Sequence, residues 1–507
     1  MESKSKCKNH HIVMLPFMAH GHLIPFLALA TQIYQKTGFK ITIANTPLNI
    51  QYIRSTINST HNEDKPTNFN LVELPFSAAA EYGLPPNTEN SENLPLDLIG
   101  QFFAASATLK NPVRTLLSDI VAKDGQPPLC VISDVFFGWA NDVAKSVGSV
   151  NVTFTTCGAY GTLAYTSVWM NLPYQRANSD EFHVPGFPEQ YRFHFTQPHK
   201  FMREADGSDI WSKFMQAQIS NSFKSFGFLC NTVEEFEPLG LELFRKFTNL
   251  PVWSIGPLLP HDLLKNGARN SSSGIVTTST QRAGKKLGVS TEKCLQFLDL
   301  HGTNSVLYIS FGSQNSINPS QMMQLAIALE ESAKPFIWVI RPPVGFDRNS
   351  EFKPEWLPER FEERVTATKQ GLLVRNWAPQ LEILSHGSTG AFMSHCGWNS
   401  VMESLSQGVP IIGWPIAAEQ AFDSKMLVEE LRVSVELTRG TQSKVEWGEI
   451  KNVIELVMGL EGKGDEMRQK GMEIAKLIRQ SVEENGSFFK ALDDFVTNLL
   501  ARVEDCR

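Results

Sequence analysis

Short apolar runs bounded by turn residues recur along the whole chain. The first half holds Ile12–Leu15, Ile41–Ala44, Leu129–Ile132, Val150–Phe154 and Phe226–Cys230. The second holds Val306–Ser310, Phe336–Ile340, Leu372–Val374, Ala391–Ser394 and Val409–Gly413. Between them lie helix-length stretches such as Leu23–Tyr34, Phe136–Ser146, Ser320–Glu331 and Ser400–Gln407. Strands that are apolar throughout and alternate with helices predict parallel sheets covered on both faces. The count is too high for one sheet, so the pattern predicts an α/β chain of two doubly wound domains. Val252–Pro257 reads as a last strand and a stop. The following stretch to Ser290 is polar, rich in Ser, Thr, Gly and Lys, and aperiodic, as a connection would be. The expected division is 1–255, a connection at 256–290, a second domain at 291–475 and a helical tail at 476–507. Two α/β domains of similar size predict a ligand cleft between them.

Composition narrows the function. Across 507 residues, 46 Lys and Arg stand against 53 Asp and Glu, a net charge of −7, which offers no footprint for nucleic acid. No apolar run is long enough to span a bilayer, and the polar N-terminus lacks the apolar centre of a secretory signal. The seven cysteines are dispersed with no C-x-x-C pair, which fits a reducing compartment and suggests neither a disulfide framework nor a thiolate zinc site. A cytoplasmic protein is expected, with monomer as the default state.

The chemistry concentrates between Trp377 and Gln420, which reads WAPQLEILSHGSTGAFMSHCGWNSVMESLSQGVPIIGWPIAAEQ. Ala391–Ser394 reads as a buried strand and His395–Ser400 as the turn into a helix starting near Val401. Backbone amides at a helix start carry partial positive charge. With Gly397 allowing close approach and His395 adding a donor, the turn suits a diphosphate. Ser400 and Glu403 fit a capping box, or Glu403 accepts hydrogen bonds from a ribose diol; spacing leaves both open. Trp377, Trp398 and Trp414 each read as core or as a stacking platform.

Taken together, these 44 residues closely resemble the signature box of plant UDP-dependent glycosyltransferases of secondary metabolism. They share its W-A-P-Q opening, its H-C-G-W-N-S centre, Glu403 and the closing glutamine. The resemblance implies the GT-B fold, two Rossmann-like domains facing a cleft, with a C-terminal helix returning to an N-terminal acceptor domain. Carried over residue by residue, Trp377 would stack on uracil and Gln380 and Glu403 would hold the ribose, with Ala378 in the same UDP-sugar site. His395, Asn399, Ser400 and Ser313 would meet the diphosphate. Trp398, Glu419 and Gln420 would meet the sugar. Glu419 stands where Asp is more usual, which loosens the expectation of glucose that Gln420 suggests.

The first predicted strand ends in Phe17-Met18-Ala19-His20-Gly21-His22, with a helix expected near Leu23. A turn at the carboxyl end of a strand is where open α/β sheets place ligands. Imidazole suits general-base work at neutral pH, although a lone histidine near a helix start is more often a cap or a satisfied surface group. Gly21-His22-Leu23-Ile24-Pro25 resembles the family's G-H-x-x-P, which implies His22 as the base. Asp134 reads as an N-cap, and its context resembles the segment carrying the partner carboxylate. Thr156 matches a hydroxyl facing the sugar, with Thr153 and Thr155 close enough to blur it. The resemblance implies inverting transfer from a UDP-sugar to a small hydrophobic plant metabolite, with no metal and no cofactor. A metal-dependent hydrolase using His20 and His22, and a UDP-sugar-binding protein without transfer, are the alternatives. Aromatic residues including Phe102, Phe103, Tyr165, Trp169, Tyr174 and Phe187 fit an acceptor pocket or a core.

Overall fold

The computed structural model describes residues 10–59, 69–76, 80–92, 94–177, 179–260, 263–264, 287–348, 350–440 and 444–504. Most of the expected connection at 256–290 lies outside them. The chain divides into two compact units. One comprises Met1–Phe193, Phe201–Leu258 and Ser481–Arg507; the other comprises His194–Lys200 and Leu259–Gln480. Among the described residues, no helix is long and apolar enough to cross a membrane.

In the first unit the strands are β1 (His11–Leu15), β2 (Lys40–Asn45), β3 (Phe69–Glu73), β4 (Cys130–Asp134) and β5 (Val150–Thr155). A two-stranded ribbon, β6 (Glu181–His183) and β7 (Arg192–His194), precedes β8 (Phe228–Cys230) and β9 (Val252–Ser254). Seven of them form a sheet in the order β3-β2-β1-β4-β5-β8-β9, all paired in parallel. β1 and β4 are buried at every position, the apolar runs Ile12–Leu15 and Cys130–Ile132 together with the polar His11, Ser133 and Asp134. β3 escapes the sequence reading because it is an edge strand, only half-buried, with polar residues among its apolar ones. The order reverses between β1 and β4, and such a switch point leaves a crevice at the strands' carboxyl ends.

The second unit repeats this plan. Its strands are β10 (Val306–Ser310), β11 (Phe336–Ile340), β12 (Gly371–Arg375), β13 (Thr389–Ser394), β14 (Ile411–Gly413) and β15 (Ser434–Glu436). They order as β12-β11-β10-β13-β14-β15, again parallel, with the reversal between β10 and β13. Its core is built on the strand side chains Leu307, Ile309, Trp338, Ala391 and Met393 with Leu325 and Ile454 from the covering helices. The fold is α/β, with two Rossmann-like units of the GT-B class.

Three helices, Trp447–Val457, Lys463–Ser481 and Ser487–Glu504, follow β15, and the expected tail at 476–507 takes in the end of the second and the whole of the third. The last packs on β9 of the first unit. There Trp253 Nε1 donates to Asp494 Oδ2 at 2.7 Å and its ring meets Phe495 edge-on at 5.3 Å. Lys36 pairs with Asp493 at 2.7 Å.

Candidate active site

In the first unit, helix His20–Thr37 begins three residues before the expected Leu23, directly after Ala19 in extended conformation. His22 therefore lies in the first helical turn, at the carboxyl end of β1. Asp134 closes β4, the strand across the switch point. His22 Nδ1 lies 2.6 Å from Asp134 Oδ2. Asp134 is 0 % exposed, and its Oδ1 accepts from Phe136 N at 3.1 Å. The carboxylate thus caps the turn with one oxygen and engages the imidazole with the other. An Nδ1–H held by a carboxylate leaves Nε2 as the basic nitrogen. The His22 side chain keeps 20 % of its surface exposed, so it remains reachable from outside.

Thr156 Oγ1 lies 3.5 Å from His22 Nδ1. Thr155 bonds Thr162 at 2.8 Å, and Thr153 faces the Ser222 carbonyl. Of the three threonines, Thr156 is the one the structure brings to the dyad. The helix Ala159–Asn171 that follows it is anchored by Glu237, which accepts from Ala159 N at 3.0 Å, from Tyr160 N at 2.5 Å and from the Thr232 hydroxyl. Burial pushes the Glu237 carboxyl up to about 7. Nothing in the sequence pattern singles Glu237 out, since the two backbone amides it anchors lie 77 and 78 residues away in the chain.

Aromatic rings surround the imidazole. Phe17 and Phe136 lie 5.6 and 5.5 Å from the His22 ring. Phe103 packs on both, at 4.4 and 5.0 Å, and extends to Trp211 at 5.0 Å. Among the expected acceptor aromatics, Phe103 joins this wall, whereas Phe102, Tyr165, Trp169 and Phe187 are core. Tyr174 is half-buried and bonds the Met202 carbonyl. Phe17, Phe136 and Trp211 were not among those expected; a ring beside a histidine leaves no spacing signal.

His20 takes a different direction. Its Nδ1 lies 3.8 Å from Glu92, and its ring meets Tyr52 at 4.6 Å. Residues two apart on a helix do not share a face, so His20 and His22 do not form the chelating pair that the hydrolase reading requires. Among the described residues, no group of three or more His, Cys, Asp or Glu is placed to hold a metal.

In the second unit, each of four strands ends in a turn with one left-handed residue nearby. Gly312 (φ 78°) follows β10, Asn376 (φ 64°) follows β12, Cys396 (φ 62°) follows β13 and Ala418 (φ 52°) lies after β14. Such conformations cost a non-glycine residue about 1–3 kcal/mol and gather at functional sites. Helix Trp398–Ser406 starts three residues before the expected Val401, with Gly397 at its N-cap and no side chain capping its first turn. The capping box is therefore not formed. Ser400 and Glu403 instead converge on Gln380, whose Nε2 donates to Ser400 Oγ at 3.1 Å and to Glu403 Oε2 at 2.7 Å. Tyr308 OH donates to Gln380 Oε1 at 3.2 Å and fixes the amide from behind. Sequence reasoning missed Tyr308, which reads as one more residue of an apolar strand.

His395 is buried between two glycines. A Cβ added at either Gly312 or Gly397 would come within 2.4 Å of its Nε2. Burial first, and then the Arg341 charge, pushes its pKa down to about 4, so at neutral pH the ring is a neutral donor. Ser313 lies in the same turn as Gly312 and is half-buried. Asn399 is half-buried in the first turn of its helix. Trp377 keeps a partly exposed ring with the Arg341 guanidinium 5.8 Å from its centroid. Trp398 and Trp414 are 3 % and 1 % exposed, which assigns their indoles to the core and leaves Trp377 as the platform. For Trp398, the backbone rather than the ring is what a sugar could meet. Ala378 is buried beside Trp377. Gln420 Oε1 accepts from Ile416 N at 3.0 Å and Ala417 N at 2.8 Å, which aims the –NH2 end of its amide. Glu419 is half-buried immediately before it.

The family profile described as UDP-glucoronosyl and UDP-glucosyl transferase matches residues 276–459. The profile described as glycosyltransferase, N-terminal domain, matches residues 9–260. The chain is 42 % identical to UDP-glycosyltransferase 92A1 of Arabidopsis thaliana, over 99 % of either chain. It is also 42 % identical to crocetin glucosyltransferase 3 of Crocus sativus, over 91 % of this chain and 93 % of that one. Among solved structures it resembles UGT73P12 of Glycyrrhiza uralensis, complexed with glycyrrhetinic acid 3-O-monoglucuronide. That match has a TM-score of 0.81 at 26 % identity, covering 98 % of this chain and 97 % of that one. The chain belongs to the plant UDP-glycosyltransferases, enzymes that transfer a sugar from a UDP-sugar to an acceptor.

Proposed function

We propose that the enzyme transfers glucose from UDP-glucose, with inversion, to a hydroxyl or carboxyl group of a small hydrophobic plant metabolite such as a flavonoid, terpenoid or other phenolic. The observation that carries this reading is the 2.6 Å contact between His22 and Asp134 at the switch point of the first sheet. His22 Nε2 takes the acceptor proton while the acceptor oxygen attacks the anomeric carbon from the face opposite the diphosphate. The C1–O bond to UDP breaks in the same displacement, so an α-linked donor gives a β-glycoside. Asp134 orients the ring and stabilises the imidazolium that forms. The half-buried rings of Phe103 and Phe136, backed by the buried Phe17, supply the apolar surface for the acceptor.

On the donor side, Trp377 and Ala378 take uracil, and Gln380 and Glu403 take the ribose. Ser313, His395, Asn399 and Ser400 take the diphosphate. Trp398, Glu419, Gln420 and Thr156 take the sugar. Charge on the departing diphosphate is met by the amides opening helix Trp398–Ser406 and by His395, so the reaction proceeds without a metal or other cofactor. Glucose as the sugar is supported by the glucosyltransferase named among the relatives. The reading places the enzyme in the cytoplasm as a monomer.

The test is transfer from UDP-glucose to a panel of plant aglycones in excess chelator, read by mass. One added hexose on at least one acceptor is expected. His22→Ala should lower turnover by about 10²–10⁴-fold. Near-normal turnover in that variant would remove His22 from the role, and metal dependence would overturn the donor chemistry.

A further inference from the structure

Arg341 directly follows β11 and has no carboxylate within ion-pair distance among the described residues. Its donors go to two backbone carbonyls instead. Nη1 reaches Gly312 O in the turn after β10, while Nε and Nη2 reach Asn376 O at 2.9 and 2.7 Å in the turn after β12. One guanidinium therefore ties the turn next to His395 to the turn that carries Trp377. Burial, and after it the neighbouring Arg348 charge, pushes its pKa down to about 10, so the guanidinium stays charged at neutral pH. Arg341 is half-buried, and none of its partners, the two carbonyls and the Trp377 ring, carries a balancing negative charge. Its field extends to the glycine-lined corner, where it helps to keep His395 neutral.

We propose that Arg341 is the protein's own counter-charge to the donor's diphosphate, acting across the Gly312 turn. The inference rests on the reading of this unit as the UDP-sugar site. The alternative is a purely structural clamp that holds two turns in place. The two differ in what they do to a ligand without phosphates. A clamp that shapes the base platform serves uridine and UDP alike, whereas a counter-charge serves only UDP.

The experiment is calorimetric titration of the full-length enzyme with UDP and with uridine. Arg341→Gln should weaken UDP about tenfold or more while leaving uridine within about twofold, and should flatten the salt dependence of UDP binding. Asn315 and Ser316 border a small cavity with Gly312 and Arg341. Asn315→Asp places a carboxylate beside the guanidinium and should reproduce the UDP-selective loss with the two carbonyl contacts intact. It carries the test if Arg341→Gln does not fold. Equal weakening of UDP and uridine in these variants, or no weakening of UDP, would overturn the proposal. Failure of the unaltered enzyme to bind UDP would overturn the donor-site reading itself.

Discussion

Asp134 shows that two readings of one residue need not compete. Its position before a turn argues for an N-cap, its family context argues for a histidine partner, and each oxygen serves one purpose. Asp134→Asn keeps a cap acceptor and the side-chain volume but loses the carboxylate that favours the imidazolium. Turnover should fall by about 10²–10⁴-fold with little change in the UDP-glucose KM. A comparable rise in KM would instead mean that the change disturbs donor binding. At this scale the residue types were legible, but beyond the His22–Asp134 pair that the family resemblance implied, their partners were not. Ser400 and Glu403 have the spacing of a cap, yet Gln380, from another helix, claims both. The tryptophans could not be told apart in sequence because burial decides between them, and burial is a property of the assembled unit.

The elements of the second unit put their functional residues at strand ends, and the geometry of those ends depends on small residues. Gly312 and Gly397 enclose His395 so closely that neither tolerates a Cβ without moving the ring. Gly312→Ala or Gly397→Ala should raise the UDP-glucose KM by about tenfold or more, because the displaced imidazole no longer meets the diphosphate. Gly302, where an added Cβ meets nothing within 4 Å, is the control and should leave KM unchanged. Equal effects at all three positions would refute the argument. Strand interiors were readable from their apolar runs, whereas helix starts were not. Both functional helices begin three residues earlier than expected, since Ala19 and Gly397 end their turns through backbone conformation rather than a capping side chain. The left-handed Cys396 and Ala418 are of residue types that give no such warning.

Across the whole molecule, the two-sheet α/β plan followed from strands buried on both faces. What escaped were the edges, β3 and β15, where half-burial or brevity erases the apolar signal. The assignment of His194–Lys200 to the second unit escaped as well, because a seven-residue excursion carries no periodicity. The attachment of the last helix to β9 lends itself to a stability test. Trp253→Phe keeps the ring against Phe495 but removes the bond to Asp494, and should cost about 1 kcal/mol. Its effect should appear in thermal melting and not in the UDP-glucose KM; a change in KM alone would contradict it.

That attachment also orders the enzyme's birth on the ribosome. Trp253 and Asp494 stand 241 residues apart in the chain. At about 5–20 residues per second, roughly 12–50 s of synthesis separate them. The sheet holding His22 emerges early, but the helix that covers its edge strand β9 is among the last segments made. The first unit thus waits, with one flank uncovered, for the second unit to be translated.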